Sequence, residues 1–311
     1  SFNLWHYTQS SSVDLILFIS AIFIAILPKE LKLRRLSLLI LVLTLFSPTP
    51  KLSNNSALIT VLDIGQGLST LVQTRNHILL FDTGAAYPSG FNMGNSVINP
   101  YLKTKQIKYL DKIIISHGDN DHIGGLKSVL GEFNALEILT SVPDKITQTA
   151  LRCNSGQTWQ WDGVLFEILN PSENANFKGN NASCVLKVST RKYSILLTGD
   201  IEKKAEKYLV KTHKNKLDST IMLSPHHGSK TSSTTAFLNA VSPDIIIISS
   251  GFKNRFNHPA KTITDRYNDH NIQSINTNCA GQIEIGLADE ITISKYRKKH
   301  QRFYMRQCET L

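Results

Sequence analysis

A chain of 311 residues holds one large domain or two modest ones, and with 41% apolar residues it has the material for a sizeable core, which excludes a disordered chain. Its net charge of +10 and isoelectric point near 9.4 are high for an ordinary cytosolic enzyme and favour polyanionic partners, nucleic acid or an anionic membrane face, with general solubility the plainer account. Four cysteines (Cys153, Cys184, Cys279, Cys308) show no C-x-x-C spacing, so a thiolate zinc knuckle has no support, while pairing in an oxidising compartment stays open.

The chain begins at Ser1, as expected of a piece of something longer. Val13–Leu27 and Leu36–Phe46 are two almost wholly apolar runs around the polar turn "PKELKLRR". Each is shorter than the roughly 20 residues a membrane helix needs, and the basic cluster between them does not fit a signal peptide. They read as the last membrane helices of a larger protein, or else as a buried helical hairpin; the first reading is preferred. If they span, Lys29, Lys32, Arg34 and Arg35 mark a cytoplasmic turn, and everything after Phe46 lies on the outer side. "SPTPKLSNNS" then links this segment, residues 1–50, to a second domain over residues 51–311.

From Leu58 onward, short apolar runs recur: "LITVLDI", "STLVQT", "HILLFDTG", "KIIIS", "YSILLTGD", "STIMLSP" and "DIIIISSG". Their length and bounding turn residues predict buried strands. Helices are expected at Gly124–Phe133, Glu202–His213 and Thr234–Val241, giving an α/β or α+β sandwich. No internal repeat is evident. The C-terminal "KYRKKHQRFYMRQ" is basic with interleaved aromatics; it reads as a solvated tail more readily than as a nucleic-acid contact.

Polar residues that end buried strands gather at one rim of a sheet, where ligands bind. Here those ends carry His117, Asp119, Asp121 and His122 in "SHGDNDHIGG", Asp200 after "ILLTG", and "HHGS" after "STIMLSP". His-x-Asp-x-Asp-His on a loop lets alternate side chains serve two centres, with Asp200 able to bridge them. Imidazoles and carboxylates suit hard or borderline divalent cations, and two such ions clamp both oxygens of a displacement and activate water at neutral pH. Without a metal the same groups would crowd one another with no compensation.

"SHGDNDHIGG" resembles the signature loop of the metallo-β-lactamase superfamily, and "LLFDTG" its first motif, in which an Asp supports that loop. In order, "VLDIGQG", "FDTG", "SHGDNDHIGG", "NNASCVLKV", "LLTGD", "SPHHGSKTSS" and "NRFNHP" resemble the C-terminal domain of the ComEC family of competence proteins, over roughly Leu58–Leu287. The resemblance implies a four-layer αβ/βα sandwich and an inner-membrane protein that carries transforming DNA, with the hydrolase domain on the outer side and other competence proteins as companions. It implies that His117 and Asp119 hold one metal, Asp121 and His122 the other, with Asp200 bridging. One histidine of "HHGS" completes the second site: His227 is preferred, leaving His226 to face substrate phosphate or to support a ligand from behind, and the reverse stays open.

Three departures bear on the carry-over. Asp119 stands where the superfamily usually has His, which shifts the two-ion preference towards Mn²⁺ and away from Zn²⁺ alone. No third-motif His falls between His122 and Asp200; Asn181 or Ser183 can offer an oxygen there, or the stretch is simply a turn. Leu68 follows "GQG" where an Asp is common, which weakens activity if that acid orients a ligand. His258 is assigned to substrate phosphate or proton transfer to the leaving oxygen, against a structural role. Ser229, Lys230 and Ser232 can donate to phosphate, or cap a helix start. The leading expectation is a metal-dependent nuclease acting on single-stranded DNA without sequence preference, with Asp121, Asp200 and His258 at the reaction. A metallo-hydrolase of another ester, or a weakened DNA-guiding module, are the alternatives.

Overall fold

Apolar residues that alternate between two buried faces read as unbroken runs, and the runs of this chain form two facing sheets for that reason. A computed structural model describes residues 12–28, 31, 33–45 and 51–301. The chain divides into two compact units, Ser1–Lys51 with Leu102–Ile107, and Leu52–Tyr101 with Lys108–Leu311.

In the first unit, helices Ser12–Ile26 and Arg34–Leu45 pack against each other. At 15 and 12 residues they measure about 22 and 18 Å, short of the ~30 Å hydrocarbon layer. No helix among the described residues is long and apolar enough to cross a membrane, so the expected membrane helices are not shown. A buried hairpin does not describe them either, since Ile19, Phe23 and Ile26 are 57%, 66% and 76% exposed. Lys29 and Lys32 of the expected cytoplasmic turn, and Phe46, lie outside the described residues.

In the second unit, one sheet is built from β1 (Ala57–Val61), β2 (Thr70–Gln73), β3 (Ile78–Phe81), β4 (Tyr109–Ile115), β5 (Asn134–Thr140) and β6 (Leu151–Arg152). The other holds β7 (Thr158–Trp161), β8 (Val164–Asn170), β9 (Val185–Ser189), β10 (Ser194–Leu197), β11 (Ile221–Leu223), β12 (Ile245–Ile248) and β13 (Gln273–Asn276), while β14 (Ile283–Leu287) and β15 (Ile291–Lys295) return to the first. The spatial orders are β15-β14-β1-β2-β3-β4-β5-β6 and β13-β12-β11-β10-β9-β8-β7. Both sheets are mixed: β1, β2 and β3 pair antiparallel and β3, β4 and β5 parallel, while β8, β9 and β10 pair antiparallel and β10, β11 and β12 parallel. The sequence, in which no repeat is evident, conceals this doubled pattern.

Strand periodicity explains the layers. Ile195 and Leu197 join Ile59, Phe81, Ile114 and Phe166 in a core between the sheets, whereas Leu196 points the other way, to Leu209, Phe237, Leu238 and Tyr267 of the helices covering the second sheet. Each fully buried side chain of this size contributes on the order of 1.5–3 kcal/mol. Those helices are Lys203–Leu217, Thr235–Val241 and Lys261–Asp269, the first two near their expected positions. Thr234 caps its helix by accepting from the Phe237 N–H at 3.3 Å. Cys153, after β6, is bonded to Cys184, before β9, with Cα atoms 6.1 Å apart, so a disulfide joins the two sheets. The C-terminal segment is not merely solvated: Arg297 bonds the Asp63 carboxylate at 2.6 Å and also donates to the Asn278 carbonyl. Residues 302–311 lie outside the described residues.

Candidate metal centre

Parallel strands end together, and the loops leaving the C-terminal ends of β3, β4, β10, β11 and β12 meet at one edge of the two sheets. After β4, residues Asn120–Ile123 form a single helical turn that turns His122 inward, fully buried. Gly67 makes room for this turn. Its φ is +129°, and a Cβ there would stand 2.4 Å from the Asp121 carbonyl oxygen. The neighbouring Leu68 N–H donates to that same oxygen at 3.1 Å while the Leu68 side chain enters the core. Where an acid is common, this chain therefore has a core residue whose backbone holds the loop.

Asp121, His122, Asp200 and His227 converge, each offering one ligand atom, with those atoms all within 4.8 Å of one another. The Nε2 atoms of His122 and His227 face each other at 3.2 Å. Asp200 places Oδ1 3.1 Å from the first and Oδ2 3.5 Å from the second, and Asp121 Oδ2 lies 3.4 Å from His227. The outer nitrogens are committed elsewhere: His122 Nδ1 to Asp82 Oδ2 and His227 Nδ1 to the Ser249 carbonyl, both at 2.8 Å. That arrangement fixes the rings with Nε2 free to ligate. Asp82 also accepts from the Ser116 N–H and hydroxyl, at 2.6 and 2.7 Å, so the buried carboxylate ties the start of the loop to its end.

The remaining expected ligands stand beside this group. His117 is buried, its ring 4.3 Å from that of His122, and its Nε2 points towards Asp119 Oδ2 at 3.5 Å. His117 and Asp119 are thus paired but outside the four-residue cluster. The donor set fits a divalent cation on three counts. His117 Nε2 is buried without a hydrogen-bond partner, as is Asp200 Oδ1 despite its nearness to His122. Two imidazole nitrogens aim at one point, and the chemistry is mixed nitrogen and carboxylate.

Electrostatics describe the same cluster without its ion. Burial opposes charge on His122, yet Asp200 and Asp82 outweigh it and hold its pKa well above the usual histidine value. Burial likewise opposes charge on His227, and Asp200 and Asp121 push it up to about 9. Burial would raise the Asp200 and Asp121 carboxyls, but the two histidines hold both below the usual range, Asp200 strongly so. The neighbouring His117 imidazole lowers the Asp119 carboxyl against the opposing effect of burial.

The turn after β11 distinguishes its two histidines. His226, His227 and Gly228 all take the left-handed conformation, at φ +50°, +56° and +82°, a strained run of the kind functional sites carry. It sends His227 into the cluster and leaves His226 partly exposed, 3.7 Å from Asp200 and 3.6 Å from Glu202. Ser229 departs from its expected place at substrate: it is buried, and its hydroxyl is engaged with Thr231 Oγ1 at 3.1 Å inside the turn. Ser232 bonds the Ile201 carbonyl and is structural too, while Lys230 is exposed. Asn181 accepts from the N–H groups of Glu202 and Ala205 and so caps a helix; Ser183 accepts from the Asp200 N–H. Both therefore support the site from behind rather than entering it. The His258 ring lies 5.7 Å from that of His226 and 6.4 Å from that of His227, its Nδ1 buried without a partner. Burial, then the charges of His227 and His226, push His258 down to about 4.

Sequence reasoning missed Ser249, whose contribution is a backbone carbonyl, and Glu202, which faces His226 from the residue before a helix. The strand-end position of Ser249, in "IIIISSG", was the available signal.

The profile of the metallo-beta-lactamase superfamily matches residues 62–251. The chain is 40% identical to competence protein ComA of Neisseria gonorrhoeae over 275 residues, covering 88% of this chain and 38% of that protein. It is 35% identical to recombination protein 2 of Haemophilus influenzae over 258 residues, covering 82% and 32% respectively. It thus spans about a third of the length of these relatives, and the similarities bear out the resemblance read from its motifs. Igni18, a metallo hydrolase from the hyperthermophilic archaeon Ignicoccus hospitalis, superposes with a TM-score of 0.50 at 11% identity, over 75% of this chain and all of its own.

Proposed function

The chain belongs to the metallo-beta-lactamase superfamily, and from that premise we propose that it is the metal-dependent nuclease domain of a DNA-uptake protein, hydrolysing phosphodiesters of an incoming single strand. The observation that carries the reading is the convergence of Asp121, His122, Asp200 and His227 with their outer atoms locked. Two divalent ions, Mn²⁺ or Zn²⁺, would supply Lewis acidity to the phosphodiester and lower the pKa of an attacking water. Asp121, His122, Asp200 and His227 would hold one, and His117 with Asp119 would hold the other, with Asp200 as the bridge the reading assigns.

The protein's own groups do the rest. His226, on the open side of Asp200, and the exposed Lys230 stand ready for phosphate oxygens. His258, kept neutral chiefly by burial, is suited to hydrogen bonding at the leaving oxygen rather than to donating from an imidazolium. The charge of +10 supplies sequence-independent affinity that weakens with salt. The disulfide between the sheets supports a location on the oxidising, outer side of a bacterial inner membrane, where other competence proteins would meet it.

The test is incubation of the metal-stripped chain with end-labelled single-stranded DNA and Mn²⁺, Zn²⁺ or Mg²⁺, beside Asp200→Ala. Metal-dependent cleavage lost in the variant is expected. A folded, metal-loaded sample that cleaves nothing, or an Asp200→Ala chain that cleaves fully, would overturn the proposal.

A further inference from the structure

Between β3 and the next helical segment the chain makes a small finger, "YPSGF". The Tyr87 N–H donates to the Phe91 carbonyl at 2.8 Å, the Gly90 N–H to the Tyr87 carbonyl at 2.9 Å, and Ala86 bridges to Asn92. Gly90 closes the turn at φ +86°. The finger holds two aromatic rings 5.7 Å apart, and they are 43% and 50% exposed. An exposed pair of large rings loses hydrophobic stabilisation that burial would have provided, so its position matters.

That position is beside the metal centre. The Asn120 side chain, between Asp119 and Asp121, accepts from the Ala86 N–H at 3.3 Å and donates to the Ala86 carbonyl at 2.8 Å. Gly124 and Gly125 pack so closely on the finger's base that a Cβ would strike the Ala86 nitrogen at 2.3 Å and the Thr83 carbonyl oxygen at 2.2 Å. The finger's base and the ligand loop are therefore packed and hydrogen-bonded directly to each other. A second exposed ring borders the centre from another loop. Phe256 stacks on His258 at 5.6 Å, and the Arg255 guanidinium lies over the Phe256 ring, 4.7 Å from its centroid. Tyr109, by contrast, is exposed at the opposite end of β4 from the ligand loop.

We propose that Tyr87 and Phe91 form a stacking platform for an unpaired nucleobase next to the phosphodiester held at the metal centre. The proposal rests on the nuclease reading and extends it to how the strand is gripped. An occupant here must present a flat apolar face to the finger. Its anionic groups must also suit the loops around the metal centre, where Arg255 lies over Phe256 and Lys145 Nζ donates to the Gly118 carbonyl in the ligand loop at 3.0 Å. A strand with splayed bases has both, and stacking of this kind is tolerant of sequence. A paired duplex buries the base faces the rings would need.

The test compares two fluorescein-labelled probes of about twenty units, oligothymidylate and an abasic strand of the same length, binding to the full chain with Ca²⁺ over a salt series. The chain should prefer the base-bearing strand. In Tyr87→Ala/Phe91→Ala its affinity should fall about tenfold to a hundredfold, while affinity for the abasic strand stays within twofold and the salt slope is kept. Tyr109→Ala should change neither, and Phe91→Trp should keep the preference and show quenched emission on binding. Equal losses on both probes, or no loss, would overturn the platform. So would unchanged strand affinity alongside lost binding to anionic phosphatidylglycerol vesicles. Failure of cleavage alone would sink the nuclease reading, leaving a base-dependent affinity lost in the double variant to stand for the platform.

Discussion

Replacing Asp82 by Asn changes the shape of the site hardly at all and its hydrogen bonding severely. Both carboxylate oxygens accept: Oδ1 from the Ser116 N–H, and Oδ2 from the Ser116 hydroxyl and His122 Nδ1. An amide has only one acceptor, so its NH₂ must oppose either the Ser116 N–H or His122 Nδ1. In the first case a buried N–H loses its partner; in the second His122 must flip to the tautomer with its proton on Nε2, the atom that would ligate. Hydrogen bonds to charged groups are worth about 1.5–3 kcal/mol against about 0.5–1.5 for neutral ones, so three weakened bonds cost the fold roughly 1–3 kcal/mol. Metal affinity should fall about tenfold to a hundredfold, as when a partner of a ligating histidine is lost. Competition with a chromophoric chelator gives the affinity, and urea unfolding of the metal-free chain gives the stability. Affinity within twofold of the unsubstituted chain would show that Asp82 does not orient His122, and the reasoning would fail.

Other expectations follow from the same geometry. Metal loading at pH 7 should release protons, because His122 and His227 are both raised in the ion-free cluster and must deprotonate to ligate; titration calorimetry in buffers of different ionisation enthalpy counts them, and no release would contradict the assignment. With the His227 pKa raised from 6.5 to about 9, its contribution to ion-free stability is complete below pH 6.5 and is lost as pH rises through about 9, which a pH series of urea midpoints reads. Gly67→Ala should displace Asp121 and weaken metal binding at least tenfold by the same chelator assay, since its Cβ would meet a backbone oxygen at 2.4 Å. Replacing Cys153 and Cys184 together by Ala, which opens a crosslink between residues 31 apart, should cost about 4 kcal/mol in urea unfolding. Tyr267→Phe strips a buried hydroxyl shared by Ser224 at 2.8 Å and Ser233 at 2.7 Å, and should lower stability by about 1–3 kcal/mol.

The ligand loop was legible because its chemistry is local: four side chains that are costly to crowd together, in six residues directly after a strand, serve little besides cation binding. Strands buried on both faces, such as β4, β10 and β12, announced themselves as continuous β-branched or leucine-rich runs. The β7–β8 hairpin was missed although its "DG" turn, with Asp162 at φ +50° and Gly163 at +87°, is a strong hairpin signal. Trp159 and Trp161 dominate the strand before that turn, and a four-residue strand offers little periodicity to read. β5 hid because its first half is half exposed, breaking the apolar run. The choice between His226 and His227 depended on three consecutive left-handed residues, a tertiary outcome that identical side chains cannot encode. Asn181 was decided by a partner that only the folded chain brings close, the Glu202–Ala205 turn, and Ser229 by a local bond to Thr231 that the tight turn after β11 closes.

Asp121 and His122 come from one sheet's loops, and Asp200 and His227 from the other's. Any ion they share is a fastener across the seam between the two sheets. The covalent bond from Cys153 to Cys184 crosses that same seam. Opening the seam would break ion binding before either half had unravelled, so occupancy is a gauge of closure. An ion bound only to the closed form then adds to global stability with its concentration, as any ligand of the native state does. With the Cys153–Cys184 bond reduced, a chain cut between β6 and β7 should accordingly rejoin more tightly with metal than without it.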